Sequence, residues 1–179
     1  VSNADLRGGP SIKYPGSKEY WMYLSSNDNK KLSFDINPWI AFGNHDNYYG
    51  KGFDIGIRYQ PTDALRVSMS PGISFNNDEL QYVASYSSET SEEYVLGKID
   101  QVTYSASFRA NYIITPNLSI EYWGQPFISS GQYSNFKRVL NANASEYHSR
   151  YNPYDNLQIT YQPESEVYLI DHDRDGATD

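Results

Sequence analysis

Four aspartates near the end of the chain, Asp171, Asp173, Asp175 and Asp179, lie in the stretch DHDRDGATD. They fill positions 1, 3, 5 and 9 of a D-x-D-x-D-G calcium loop, with Gly176 at the sharp turn. Hard carboxylate oxygens at that spacing can wrap one Ca²⁺, and calcium is the one cofactor for which the chain offers a pattern. The ligand expected at the twelfth position would fall beyond Asp179. Read more plainly, Asp-Gly makes the same stretch an acidic turn. A second group, His45, Asp46, Tyr48 and Tyr49 in HDNYYG, combines aromatic faces with polar partners. It could form a ligand-contacting rim for a sugar, or simply a solvated loop tip. His148 and His172 are too scattered to join His45 as a metal set. No nucleophile and base stand at a telling spacing, no Gly-rich phosphate loop occurs, and no carboxylate pair can be placed from sequence. Enzyme chemistry is not expected.

The remaining chemistry-bearing residues are isolated charges: Asp35, Arg58, Arg66, Arg109 and Glu121. Each stands on the polar side of an alternating stretch, so strands must position them. In QVTYSASFRANYII, residues 101–114, Val102, Tyr104, Ala106, Phe108, Ala110, Tyr112 and Ile114 share one parity. Thr103, Ser105, Ser107, Arg109 and Asn111 share the other. Strict alternation is the period of a strand with two unlike faces. KLSFDINPWIAF at 31–42, GFDIGIRYQ at 52–60, ALRVSMS at 64–70 and NLSIEYWG at 117–124 repeat the pattern. Weaker strands are expected at 20–25, 80–86, 94–100, 157–161 and 166–170, and residues 134–147 read as a loop with a single turn.

QPTDAL and TPNL are tight, Pro-containing turns, whereas 43–51, 87–93 and 129–156 read as longer polar connections. Short turns at one end and long loops at the other are the habit of an outer-membrane meander. Strand length points the same way, because alternation over residues 31–42 and 101–114 exceeds the roughly 5 to 6 residues usual in globular strands. The polar face is small and hydroxylic with scattered opposite charges, which suits a wet lumen, and these charges are expected to face it. Aromatic residues near strand ends suit interfacial girdles. Arg109 is expected to pair with Glu121 or Asp35 across neighbouring strands.

Composition sets the outer limits. Among 179 residues there are 18 Tyr, 7 Phe and 3 Trp but no Cys, so disulfide and zinc-thiolate chemistry are absent. The net charge of -8 argues against nucleic acid, which needs a basic surface. Mean hydropathy is -0.69, and no run of about 18 apolar residues could form a spanning helix. Barrel strands never show such a block. No leader opens the chain, which fits a cytoplasmic protein or a mature or excised piece.

From Tyr94 to Lys137 the chain resembles a Bacteroidota-type family of outer-membrane proteins of unassigned function, in which a family 9-like carbohydrate-binding domain precedes a C-terminal barrel. The resemblance is carried by Asp100-Gln101, Arg109, Asn111-Tyr112, Thr115-Pro116-Asn117-Leu118-Ser119, Gln125-Pro126-Phe127 and Gly131-x-Tyr133, with Leu6 to Pro10 (LRGGP) similar to an entry segment. It implies an outer-membrane location in a Gram-negative bacterium and contact with lipid. It also implies an N-terminal carbohydrate-binding domain in the same full-length chain, and it implies no reaction. The family's barrel continues with strands that are missing here. The expectation is therefore an all-β antiparallel up-and-down meander, with residues 1–179 forming one outer-membrane β-barrel domain or part of a larger one. The expected role is non-catalytic, passage or surface binding of carbohydrate-related material. The alternative is a soluble β-sandwich binding module or adhesin.

Overall fold

The structure is a computed structural model that describes residues 2, 4–87, 92–172 and 174–176. Alternation along the chain becomes strand after strand: β1 Ser17–Trp21, β2 Leu24–Ser25, β3 Leu32–Gly43, β4 Tyr48–Thr62, β5 Leu65–Ser87, β6 Glu92–Thr115, β7 Leu118–Gly124, β8 Phe127–Val139, β9 Tyr151–Pro153, β10 Ile159–Gln162 and β11 Val167–Ile170. Nine of them form one sheet in the order β1-β3-β4-β5-β6-β8-β9, with β2 also paired to β3 and β7 to β6. β10 and β11 form a separate two-stranded antiparallel sheet. The fold is all-β and meandering, as expected. The main sheet is open, so the closed barrel is not formed by the described residues.

Pairing extends strands past their sequence signals. Residues 65–70 and 80–86 belong to one 23-residue strand, β5, because residues 72–78 pair with β4 from Asp54 to Tyr48 despite Pro71-Gly72 and Asn76-Asn77-Asp78. Likewise 94–100 and 101–114 are one 24-residue strand, β6. The expected loop at 134–147 is wrong in its first part, since β8 runs to Val139. In the opposite sense, the strand expected at 20–25 is split. Trp21 pairs with Trp39 and Leu24 with Ile36, and between these partners stands Pro38, whose nitrogen cannot donate. The tight turns fall where expected, at Asp63-Ala64 and Pro116-Asn117, and the Ile113 amide donates to the Ala64 carbonyl at 2.8 Å.

The chain divides into two units, and β5, β6 and β8 contribute residues to both. One unit comprises Val1–Tyr14, Leu80–Lys98 and Tyr133–Asp179. Its core is conventional: Leu6, Ile12, Leu80, Tyr94, Leu96, Ala142 and Tyr151 are buried together. Arg150 is buried too, its guanidinium donating to the carbonyls of Lys13, Ala144 and Ser145. The other unit comprises Pro15–Glu79 and Ile99–Gln132. It is built on the long strands and has the opposite character.

Candidate functional site

In the second unit the residues that alternate into one face are apolar and open to the outside. Cross-strand registers stack them in rows: Leu32, Tyr59 and Val67; Phe34, Ile57 and Met69; Pro38, Phe53 and Ile73. Phe108, Tyr112, Leu118, Ile120 and Tyr122 extend the exposed apolar surface onto β6 and β7. The other parity is polar and better buried. Ser33 is 3% exposed and Ala41 6%, whereas their neighbours Leu32 and Phe34 are 44% and 46% exposed. A strand in a water-soluble sheet buries the reverse set.

Small residues make the polar face compact. Gly50, Gly52 and Gly56 on β4 lie opposite Ala41, Trp39 and Asp35 on β3. The Trp39 ring lies so close over Gly50 and Gly52, and the Asp35 carboxylate over Gly56, that a Cβ at any of the three would collide. Asp35 and Asp54 are joined through Asn37, whose Nδ2 donates to one oxygen of each at 2.9 and 2.7 Å. Arg58 pairs with Asp28 at 3.0 Å, and Arg66 Nε donates to Gln60 Oε1 at 3.1 Å. Asn37 and Asp54 were not singled out in the sequence, though their parity already places them on this face.

Arg109 and Glu121 stand on adjacent strands, opposite Trp123 and Asn111 respectively. All four line one cavity of about 490 Å³, with Tyr122 completing it. The expected ion pair is not made: among the described residues neither Arg109 nor Glu121 has an ion-pair partner. The Asn111 Oδ1 atom is buried without a hydrogen-bond partner. A second cleft, about 280 Å³ and mostly apolar, lies among Tyr20, Trp21, Met22, Pro38, Trp39 and Ile40.

The residues of the HDNYYG rim do not converge. His45 and Asp46 occupy the exposed tip with φ of 60° and 54°, a left-handed backbone unusual outside glycine. Tyr48 and Tyr49 then point to opposite faces. The Tyr48 hydroxyl donates to Asn76 Oδ1 at 2.9 Å, whereas the Tyr49 ring packs against Phe42 at 5.5 Å. Beside it the Lys51 ammonium hangs over the Tyr49 and Phe75 rings.

The first unit holds a polar network that only pairing could assemble. Tyr86 Oη donates to Glu93 Oε2 at 2.8 Å, and Arg138 Nη1 lies 3.0 Å from the same oxygen. The His172 ring stacks on Tyr86 at 3.5 Å, and its Nδ1 is 2.7 Å from Tyr154 Oη. Burial, reinforced by Tyr86, pushes the Tyr154 phenol well above its ordinary range. Of the four calcium-loop aspartates, Asp173 and Asp179 lie outside the described residues. Asp171 accepts the backbone amides of Arg174 at 2.7 Å and Gly176 at 3.0 Å, closing the turn with its own carboxylate. Among the described residues no three His, Asp or Glu side chains gather as a metal would require.

No curated protein and no solved structure matches the chain. A family model does, over residues 6–163, which spans β1 to β10. The chain belongs to the family described as a domain of unknown function, DUF5916.

Proposed function

We propose that the second unit is a membrane-embedded sheet, part of an outer-membrane β-barrel, with its apolar face toward lipid and its polar face toward water. The observation that supports this most is the inversion of burial, large apolar side chains outside and small polar ones inside, over strands of 12 to 24 residues. A bilayer-spanning strand needs about 9 to 11 residues. On β4 the exposed aromatics Tyr49 and Tyr59 stand ten positions apart, with Phe53, Ile55 and Ile57 between them. Lys51, next to Tyr49, then sits where a snorkelling cation belongs. Passage or surface binding of carbohydrate-related material, without catalysis, is the role that accompanies this reading. Its support is the resemblance of residues 94–137, as it is for the Gram-negative outer membrane and for a carbohydrate-binding domain in the same full-length chain. No helix of the described residues is long and apolar enough to cross a membrane.

A soluble β-sandwich module or adhesin would need a second layer over the apolar face. Purification separates the two readings. The barrel reading expects aggregation without detergent and recovery of a cooperative far-UV transition on addition of detergent or lipid. A monodisperse, cooperatively melting protein in plain buffer would end it.

Calcium at the C-terminal loop remains part of the proposal, as a weak site. Asp171, already tied to two amides, keeps lone pairs free for a cation but holds the turn without one. With the Asp171 carboxylate already engaged, affinity belongs in the roughly 10⁻⁴ to 10⁻³ M range.

A further inference from the structure

We infer that the cavity between β6 and β7, lined by Arg109, Asn111, Glu121 and Trp123, is a saccharide-binding subsite. The inference rests on the reading that this face meets water in a barrel handling carbohydrate, and it adds the place and the recognising groups. The four residues present an unusual combination of unmet needs. Arg109 offers only donors. Glu121 offers only acceptors, and neither ionic side chain is neutralised by the other.

The occupant must therefore accept from a guanidinium and donate to a carboxylate. Sulfate and ionised carboxylate groups accept only, and Glu121 repels them. An ammonium donates only, and Arg109 repels it. A hydroxyl both donates and accepts, and neighbouring hydroxyls on a sugar ring can serve Arg109 and Glu121 at once. Trp123, 59% exposed, offers an indole face for the C–H side of such a ring. The volume of about 490 Å³ lies in the usual range of ligand pockets, about 300 to 1,000 Å³.

Isothermal calorimetry on the full chain tests this in lauryldimethylamine oxide micelles, which carry no sugar headgroup. The probes are maltotriose, cellotriose and mannotriose, with inorganic sulfate as the acceptor-only comparison. At least one trisaccharide is expected to give saturable heat, weakened tenfold or more by Trp123→Ala, Arg109→Ala or Glu121→Ala and retained by Trp123→Phe. All four substitutions are at exposed positions, and far-UV circular dichroism confirms folding of each. Silence toward all three sugars, unchanged binding in Trp123→Ala, or a preference for sulfate overturns the subsite. Repeating the titration without detergent separates the two readings. Sugar binding by a detergent-independent protein keeps the subsite and discards the membrane, and a lipid-dependent protein that ignores sugar does the reverse.

Discussion

At Gly56 two opposing effects can be weighed. Adding a Cβ to a strand glycine ordinarily gains about 0.5 to 1 kcal/mol by reducing chain entropy. Here the added atom would meet the Asp35 carboxylate, and overpacking costs about 1 to 3 kcal/mol. Gly56→Val is thus expected to destabilise by about 1 to 2 kcal/mol in equilibrium unfolding, and adding Asp35→Ala is expected to restore most of the loss. Without that rescue, the contact is not what makes Gly56 necessary. Tyr154 carries a pH signature. Its folded-state pKa is raised, so its contribution is complete below the unfolded value near 10 and is lost as pH climbs above it. Tyr154→Phe is expected to flatten the alkaline loss of stability of the first unit, whereas Tyr161→Phe, at an exposed position, leaves it as steep. Equal slopes in both variants would show that burial of Tyr154 is not felt by folding. At Asp171, millimolar Ca²⁺ is expected to give a calorimetric signal that Asp171→Asn lacks, and identical heats would reduce the loop to a self-closed turn.

At the scale of elements, β6 tests which face meets lipid. Phe108 and Ser107 are neighbours on opposite parities, and Gly72 of β5 has its missing Cβ position 3.4 Å from Ser105 Oγ, on the polar side. Phe108→Arg is expected to cost about 2 to 4 kcal/mol in lipid if the position lies near the bilayer midplane, while Ser107→Arg costs less than about 1. The reverse order in a vesicle-based unfolding assay would assign the faces the other way. Edge strands matter too: β7 and the start of β8 carry Leu118, Ile120, Phe127 and Ile128, all more than half exposed. An open, apolar edge of this kind invites a further strand, and in a bilayer its unpaired amides would each cost several kcal/mol. Under the proposed function that edge is paired in the intact barrel.

For the molecule as a whole, the two units use the same amino acids in opposite ways. The first buries Leu6, Ile12, Leu80 and Leu96 together and satisfies Arg150 with three carbonyls. The second turns Phe34, Phe53 and Tyr122 outward and folds Asp35 and Asp54 inward. In brominated-lipid vesicles, quenching of Trp21 fluorescence is expected, because Trp21 is 76% exposed beside the apolar cleft of β1 and β3. An unquenched Trp21, compared with a Trp21→Phe control, would place that edge away from the bilayer.

The amino-acid order alone determined what each strand face is made of, since a strand sends successive side chains to opposite sides whatever it pairs with. It also determined the tight turns at Asp63-Ala64 and Pro116-Asn117, where proline and its polar neighbours restrict the backbone locally. Which face would be buried was not determined there, because alternation is identical in a sandwich and in a barrel. That was decided by Trp39 and Asp35 settling over glycines on the partner strand. Strand length was likewise a tertiary outcome, as β4 holds β5 extended through Pro71-Gly72. The joining of Asp35 to Asp54 through Asn37 and the gathering of Arg109, Asn111, Glu121 and Trp123 depend on register between strands. Register arises from the simultaneous fit of many distant pairs, so no local stretch of sequence contains it.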